Sequence, residues 1–402
     1  MLETILTVIG TRPEAIKLAP VIKAIEAQDR RFTSRVVVTA QHRDMLDQVL
    51  SLWDVRPDHD LDLMRSGQSL GELTSRAMDG LSAVIAAERP SWVIVQGDTS
   101  TAMAGALSAF YQGVPVGHVE AGLRTYDMHH PFPEELNRRV VGLATRLHFA
   151  PTARAVDNLI REGVDPTRVV QTGNTVVDAF NAVARMPFDV AGSELSRLPR
   201  DKRIVMVTAH RRESFGMGIE EICAAVRWIA TSYDDVHIAM PVHPNPKVSG
   251  PVYAALSGLA NVTLLPPLDY RPMVWLMQRC HFLITDSGGL QEEATGVGKP
   301  VLILRDTTER PEGVEAGSAR LVGAHRDRII EGAKHLLDDA AAHRQMSRVS
   351  SPYGDGRASQ RIVACLAEPD RVIDLTAPDL DSTAYDQVPG FSEAVGSSRG
   401  VR

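Results

Sequence analysis

At 402 residues the chain is too long for one ordinary domain and fits two. Its 44% hydrophobic and 23% charged residues suffice for two real cores, and a formal charge of −7 excludes the basic surface of a nucleic-acid or anionic-membrane binder. No apolar run approaches the roughly 18 residues of a membrane helix; the N-terminus enters a strand without a basic leader, and the three cysteines are too scattered for a disulfide framework or a thiolate metal site, so a reducing cytoplasm is the expected setting.

Short β-type runs alternate with helix-length segments from the start. Strands are predicted at 4–9, 36–39, 92–96, 114–119 and 147–150, mostly as continuous apolar runs of the kind found in parallel strands covered on both faces. Helices are predicted between them, at 15–27, 70–88 and 101–112, and another at 176–185 follows Thr172-Gly173-Asn174-Thr175. Pro187, Gly192, Pro199 and scattered charges mark 187–203 as a linker. The alternation restarts with strands at 204–208, 236–240, 262–265, 282–285, 301–304 and 320–322. Such a pattern specifies an α/β chain of two Rossmann-like doubly wound domains facing across a cleft. Their extents are read as 1–185 and 186–366, with the last helix placed to pack back on the first domain. The stretch 367–402, rich in Asp, Ser, Gly and Pro, reads as a loosely ordered tail.

In open α/β sheets ligands sit beyond the carboxyl ends of the strands. Polar residues gather at those positions here: Gly10 to Glu14, Gln41-His42-Arg43, Gly97-Asp98-Thr99, His118-Val119-Glu120, His210 to Glu213, His243-Pro244-Asn245 and Thr285-Asp286-Ser287. The most informative stretch is 285–315. The apolar run Phe282-Leu283-Ile284 ends in Thr285-Asp286-Ser287-Gly288-Gly289, and a helical pattern starts at Leu290. A strand, a tight turn and a helix opening on bare N–H groups accept phosphate without a basic side chain. Gly288 and Gly289 admit close backbone approach. Glu292 and Glu293 fall in the expected first turn, where they serve as capping charge or one of them reaches a ribose diol. The stretch therefore reads as a nucleotide-diphosphate pocket.

His210 heads a cationic loop and can donate to a phosphate, which Arg212 can bind as well, or stack on a base. Arg310 is a further anion contact, with a surface ion pair as the alternative. Arg12 and Lys17 stand at a helix start, where cations oppose the macrodipole; an anionic ligand or a carboxylate such as Glu14 would justify them. Asp98 is either functional or the N-cap of the helix that follows. One of Glu134 and Glu135 is first-turn charge, whereas Glu120 has no capping role. Several acids in one closed site push one another's pKa apart, which suits a general base beside a general acid. There is no Walker A motif, no GxSxG, no complete GxGxxG and no metal-ligand spacing, so neither a metal nor a cofactor is expected.

The longer motifs occur in a fixed order: GTRPEAIKLAP (10–20), TAQHRDMLDQVL (39–50), QGDTSTA (96–102), HVEAGLRT (118–125), PFPEELNRR (131–139), GNTVVDA (173–179), TAHRRESFG (208–216), DSGGLQEEA (286–294) and DTTERPE (306–312). Through them the chain resembles the non-hydrolysing UDP-N-acetylglucosamine 2-epimerases over residues 4–365. The resemblance implies a glycosyltransferase-B-like fold, usually as a homodimer, and cofactor-free interconversion of UDP-GlcNAc and UDP-ManNAc. UDP is eliminated to leave 2-acetamidoglucal and is then added back. Asp98, Glu120 and Glu134 match the family's essential acids, with base and acid unassigned. His210, Arg12, Lys17, Ser287, Gly288, Gly289, Glu293 and Arg310 match its UDP-handling positions, Glu293 being expected on the ribose hydroxyls. Many bacterial members hold a second, activating UDP-GlcNAc near the Gln41-His42-Arg43 loop. Here Asp44 stands where Gln or Glu is usual, and Gly67 precedes Gln68 where Arg is common. Loss of a cationic diphosphate contact weakens such a site, so activity without substrate activation is expected. The competing readings are a hydrolysing 2-epimerase that releases ManNAc and UDP, from which Pro13-Glu14 points away, a glycosyltransferase of the same fold, and a catalytically silent UDP-sugar binder.

Overall fold

The computed structural model describes residues 2–39, 43–65, 67–211, 214–347 and 352–369. They form two compact units, one built from the chain as far as Asp178 plus the segment from Gly356, the other from Ala179–Asp355. In the first unit the order is β1 (Glu3–Ile9), α1 (Arg12–Glu26), β2 (Phe32–Val38), α2 (Arg43–Leu52), β3 (His59–Asp60), α3 (Leu70–Glu88) and β4 (Trp92–Gln96). It continues with α4 (Ser100–Tyr111), β5 (Val116–Val119), α5 (Glu134–Ala144), β6 (Leu147–Ala150), α6 (Ala153–Arg161), β7 (Val169–Gln171) and the first turn of α7 (Thr175–Ala184), whose remainder belongs to the second unit. The second unit holds β8 (Arg203–Thr208), α8 (Met217–Ser232), β9 (Val236–Pro241), α9 (Pro246–Leu256), β10 (Val262–Leu265) and α10 (Tyr270–Arg279). Then come β11 (Cys280–Thr285), α11 (Gly288–Gly296), β12 (Val301–Ile303), α12 (Glu312–Glu315), β13 (Ala319–Leu321), α13 (Arg326–Asp338) and α14 (Ala340–Ser347). The last helix, α15 (Ala358–Ala367), packs on α1 in the first unit.

Every strand pairing is parallel. The first sheet runs β3-β2-β1-β4-β5-β6-β7 and the second β10-β9-β8-β11-β12-β13. Counted from its own first strand, the second sheet follows the Rossmann order 3-2-1-4-5-6, the first adds a seventh strand to that order, and each reverses direction once. The reversal lies between β1 and β4 in the first sheet and between β8 and β11 in the second, and the loops leaving those strands flank a crevice on each sheet. The central strands are buried on both faces: Ile5, Leu6, Val8, Val93, Ile94 and Val95 are inaccessible, as are Ile204, Val205, Met206, Leu283 and Ile284. Continuous apolar sequence with β-branched residues forms such strands because helices cover both sides.

The sequence reading departs from the structure in places. The join falls between Asp178 and Ala179, inside α7 rather than after 185, and the chain leaves the second unit at Asp355, before the last helix. The stretch 187–203 is not a free linker. It carries a 3-10 turn, Glu194–Arg197, and Leu195 and Leu198 anchor it by burial. The edge strands β3 and β7 went unseen, having only two and three residues. The tail from Asp370 onward lies outside the described residues. No helix among the described residues is long and apolar enough to cross a membrane. All three cysteines are buried, and burial pushes their thiols up to about 11 (Cys223) and about 12 (Cys280, Cys365), which leaves no thiolate nucleophile.

Candidate functional site

In the first unit the acids gather around the switch point. Glu120 ends β5 with a left-handed backbone, φ 63°, a conformation that is unfavourable by roughly 1–3 kcal/mol for a residue with a Cβ. Its buried carboxylate accepts from Lys17 of α1, from Gln96 at the end of β4, and at 3.2 Å from Asn174 Nδ2 in the turn before α7. Gly97 next to it holds φ 70°, and a Cβ there would lie 3.7 Å from Glu120 Oε2, so the Asp98 loop and Glu120 are neighbours. His118, buried below, contacts the Gly97 carbonyl through Nε2 at 2.8 Å; burial pulls it down to about 4, so it is neutral and donates that bond.

Asp98 is not a helix cap. That position belongs to Thr99, whose Oγ1 accepts from Ala102 N at 3.0 Å. Asp98 instead pairs with Arg138, while its carbonyl accepts from Asn137 Nδ2 at 2.9 Å, both residues lying on α5. Glu134 opens α5 one turn earlier on the same face. Its Oε2 is buried with no hydrogen-bond partner among the described residues. Glu135 is a different kind of acid. It is fully buried and accepts from Thr125 N (3.0 Å), Tyr126 N (3.1 Å) and Arg138 (3.2 Å), which makes it a structural brace.

The second unit has a polar cluster of its own at the β8/β11 switch point. Asp286, fully buried after β11, accepts from the backbone N–H groups of His210 and Arg211, each at 2.8 Å, and faces His210 Nδ1 at 2.8 Å. Burial alone would raise this carboxyl. The His210 contact and the two amide bonds more than offset that and hold it below the usual range. The Asp286 contact selects the Nδ1–H tautomer of His210 and leaves Nε2 for a ligand. His243 stacks beside His210, with ring centroids 6.0 Å apart.

The helix α11 starts at Gly288, two residues before the predicted Leu290, with Ser287 Oγ capping it by accepting from Leu290 N at 3.5 Å. Glu292 and Glu293 thereby move into the second turn and are both buried, which removes the first-turn capping alternative. Glu292 pairs with Arg310 Nε at 2.8 Å. The two glycines differ. A Cβ on Gly288 would meet Arg310 at 2.6 Å, whereas one on Gly289 would meet nothing within 4 Å. Glu309 sits among Arg310 (2.7 Å), Arg305 (2.6 Å) and Arg211 (3.7 Å). Burial would raise its carboxyl, but Arg310 and then Arg305 outweigh burial and bring it down to about 2. A helix N-terminus, an open glycine amide and an arginine held beside it can stabilise charge developing on a diphosphate.

Lys17, Asp98, Glu120 and Glu134 thus share the first unit's strand-end cluster, and Arg12 opens the α1 helix that carries Lys17. His210, Ser287, Gly288, Gly289, Glu293 and Arg310 lie in the second unit's cluster or on the helix that opens it. Gln41 and Arg212 lie outside the described residues, as do the side chains of Arg43 and Asp44. Gly67 has φ 75° and open space around it, and Gln68 lies between Met64 Sδ (3.0 Å) and Arg76 (3.2 Å). Sequence reasoning passed over Gln96, Asn174, Arg138 and Asp286. Each sits inside a motif already singled out, but its role depends on a partner distant in sequence. Among the described residues no three His, Cys, Asp or Glu side chains come together to hold a metal ion.

A family model described as UDP-N-acetylglucosamine 2-epimerase matches residues 23–367, a span that holds Asp98, Glu120, Glu134 and the second unit's cluster. The chain belongs to the UDP-N-acetylglucosamine 2-epimerase family. It is 51% identical over 368 residues to the UDP-N-acetylglucosamine 2-epimerase of Escherichia coli K12, covering 90% of this chain and 98% of that one. Among solved 2-epimerases, the Neisseria meningitidis enzyme bound to UDP-GlcNAc is 43% identical, with a TM-score of 0.83 over 91% of this chain and all of the other (100%). The Methanocaldococcus jannaschii enzyme in complex with UDP-GlcNAc and UDP is 31% identical, with a TM-score of 0.77 over 90% and 99%.

Proposed function

We propose that this chain interconverts UDP-GlcNAc and UDP-ManNAc without hydrolysis, its second-unit cluster taking UDP and its first-unit acids working on C2 of the sugar. The carrying observation is that Asp98 and Glu120, on neighbouring strand ends, each have a cation while Glu134 Oε2 has no partner among the described residues. Three acids in different settings can divide proton removal from proton return. The C2–H bond has no adjacent carbonyl, so its acidity must come from departure of UDP. The C1–O bond breaks with its electron pair going to the diphosphate, a carboxylate takes the C2 proton, and a C1=C2 double bond remains. Re-addition of UDP at C1 with protonation of the opposite C2 face completes the epimerisation. Ser287, the Gly289 amide, Arg310 and His210 Nε2 stabilise the departing charge, the largest electrostatic change in the reaction. Glu293 is assigned to the ribose hydroxyls.

Product analysis by 31P NMR tests the reading. UDP-GlcNAc should give a mixture of two diphosphate esters with no stoichiometric UDP; free ManNAc rising in step with UDP would establish the hydrolysing reaction instead. With Gly67 in place of a cation, the rate should rise hyperbolically with UDP-ManNAc alone, and a sigmoidal curve abolished by trace UDP-GlcNAc would refute independence from activation. A homodimer is supported by exposed apolar side chains on the adjoining helices α3, α4 and α5, with Leu70, Phe110, Tyr111, Leu136 and Leu143 among them. A cavity of about 580 Å³ beside them is lined in part by Met78, Met103 and Phe132. Sedimentation equilibrium at twice the chain mass is expected, and a monomer at micromolar concentration would count against it.

A further inference from the structure

Glu14 is the third residue of α1 and is buried. Its Oε2 accepts from the backbone N–H of Gly10 at 3.1 Å and of Thr11 at 2.6 Å, closing the helix start as a capping-box acid does. Capping occupies only that oxygen. The other, Oε1, accepts at 2.7 Å from Thr99 Oγ1, and Thr99 in turn caps α4. One carboxyl therefore joins the starts of two helices across the switch point of the first sheet. The residue after Thr11 is Arg12, and the residue before Thr99 is Asp98.

The same chain shows what capping alone requires. Glu72 occupies the equivalent position in α3, exposed, and its bonds from Ser69 lower its pKa. Glu14 is pushed up to about 7, because burial outweighs four hydrogen bonds that would lower it. Removing a carboxyl from water is unfavourable, and a helix cap does not demand it. The tie to Thr99 does, since it lies between two packed elements.

We propose that Glu14 is a positioning residue for the epimerase reaction: through Thr99 it fixes the spacing between the loop that presents Arg12 and the loop that presents Asp98. This rests on the epimerase reading above. The test compares kcat, KM for UDP-GlcNAc and thermal unfolding in Glu14→Gln, Thr99→Val, Thr99→Ser and the double variant Glu14→Gln/Thr99→Val, with Glu72→Gln as the capping control. Glu14→Gln and Thr99→Val should each lower kcat by about tenfold or more while KM stays within about threefold. Thr99→Ser, which keeps the hydroxyl, should restore wild-type kcat, and Glu72→Gln should leave it unchanged. The double variant should be no slower than the slower single, because both break one link. Wild-type kcat in a folded Glu14→Gln protein, or losses that multiply in the double, would overturn the proposal. If Glu14→Gln does not fold, equal kcat in Thr99→Val and Thr99→Ser overturns it. Wild-type protein that converts no UDP-GlcNAc would instead remove the epimerase reading, a result obtained before any variant is measured.

Discussion

Glu120 combines burial, a left-handed backbone and a lysine partner, each unfavourable or neutral for folding by itself. Such a combination persists where the surrounding structure over-determines it, and here Lys17, Gln96 and Asn174 do so from three elements. The adjoining acids Glu134 and Glu135 separate cleanly. Glu135 braces two backbone amides and Arg138, so Glu135→Gln should lower stability by roughly 1–3 kcal/mol per unsatisfied donor, read in a urea melt. Glu134→Gln should leave the melt near wild type and abolish epimerisation; full activity in Glu134→Gln would remove it from the catalytic set. Residue chemistry alone placed both at a helix start and only the family resemblance singled out Glu134, because the physical division depends on Thr125 and Tyr126, which are brought up by the chain's turn before α5. Lys17 was likewise readable as a cation out of place, but its partner is 103 residues away.

At the scale of the element, α11 gives the sharpest contrast. Gly288 makes room for Arg310, and Gly289 faces open space. Gly288→Ala should therefore push the guanidinium aside, lowering the unfolding temperature and weakening UDP binding together. Gly289→Ala should fold as the wild type does, since its Cβ meets nothing, yet bind UDP on the order of tenfold more weakly because the methyl stands where the diphosphate approaches. Calorimetric titration with UDP beside a thermal melt separates the two; wild-type affinity in Gly289→Ala would show that the diphosphate does not sit there. The long apolar strands were legible because burial on both faces leaves a continuous signature, as at β4, β6 and β10, whose limits match the sequence reading. The edge strands β3 and β7 were not, since two or three residues carry no period. The start of α11 was misplaced because glycine, a poor helix former, opens it.

For the whole molecule, the two-domain alternation was legible in the recurring apolar strands. Stability should also depend on pH through buried histidines. Burial pulls His118 to about 4, His148 to about 3 and His281 to about 4, from 6.5. As pH falls from 6.5 the unfolded chain takes up protons that the folded chain refuses, so stability declines until about pH 4 for His118 and His281 and about pH 3 for His148. Glu14 acts in the opposite sense: raised from 4.5 to about 7, it favours the folded state at low pH and loses that contribution as pH rises through 7. These histidines, with buried His237 shifted the same way, outnumber Glu14, so the urea midpoint should fall between pH 6.5 and 4, and His118→Asn should flatten the slope. A midpoint that rises on acidification would contradict this balance.

In the proposed mechanism C2 loses its hydrogen to solvent-exchangeable acids while UDP is detached. Incubating UDP-GlcNAc with the protein in D2O and following C2 by proton NMR tests it most directly. Deuterium should enter C2 of the epimerised product at the rate that product forms; UDP-ManNAc appearing with protium retained at C2 would contradict the account.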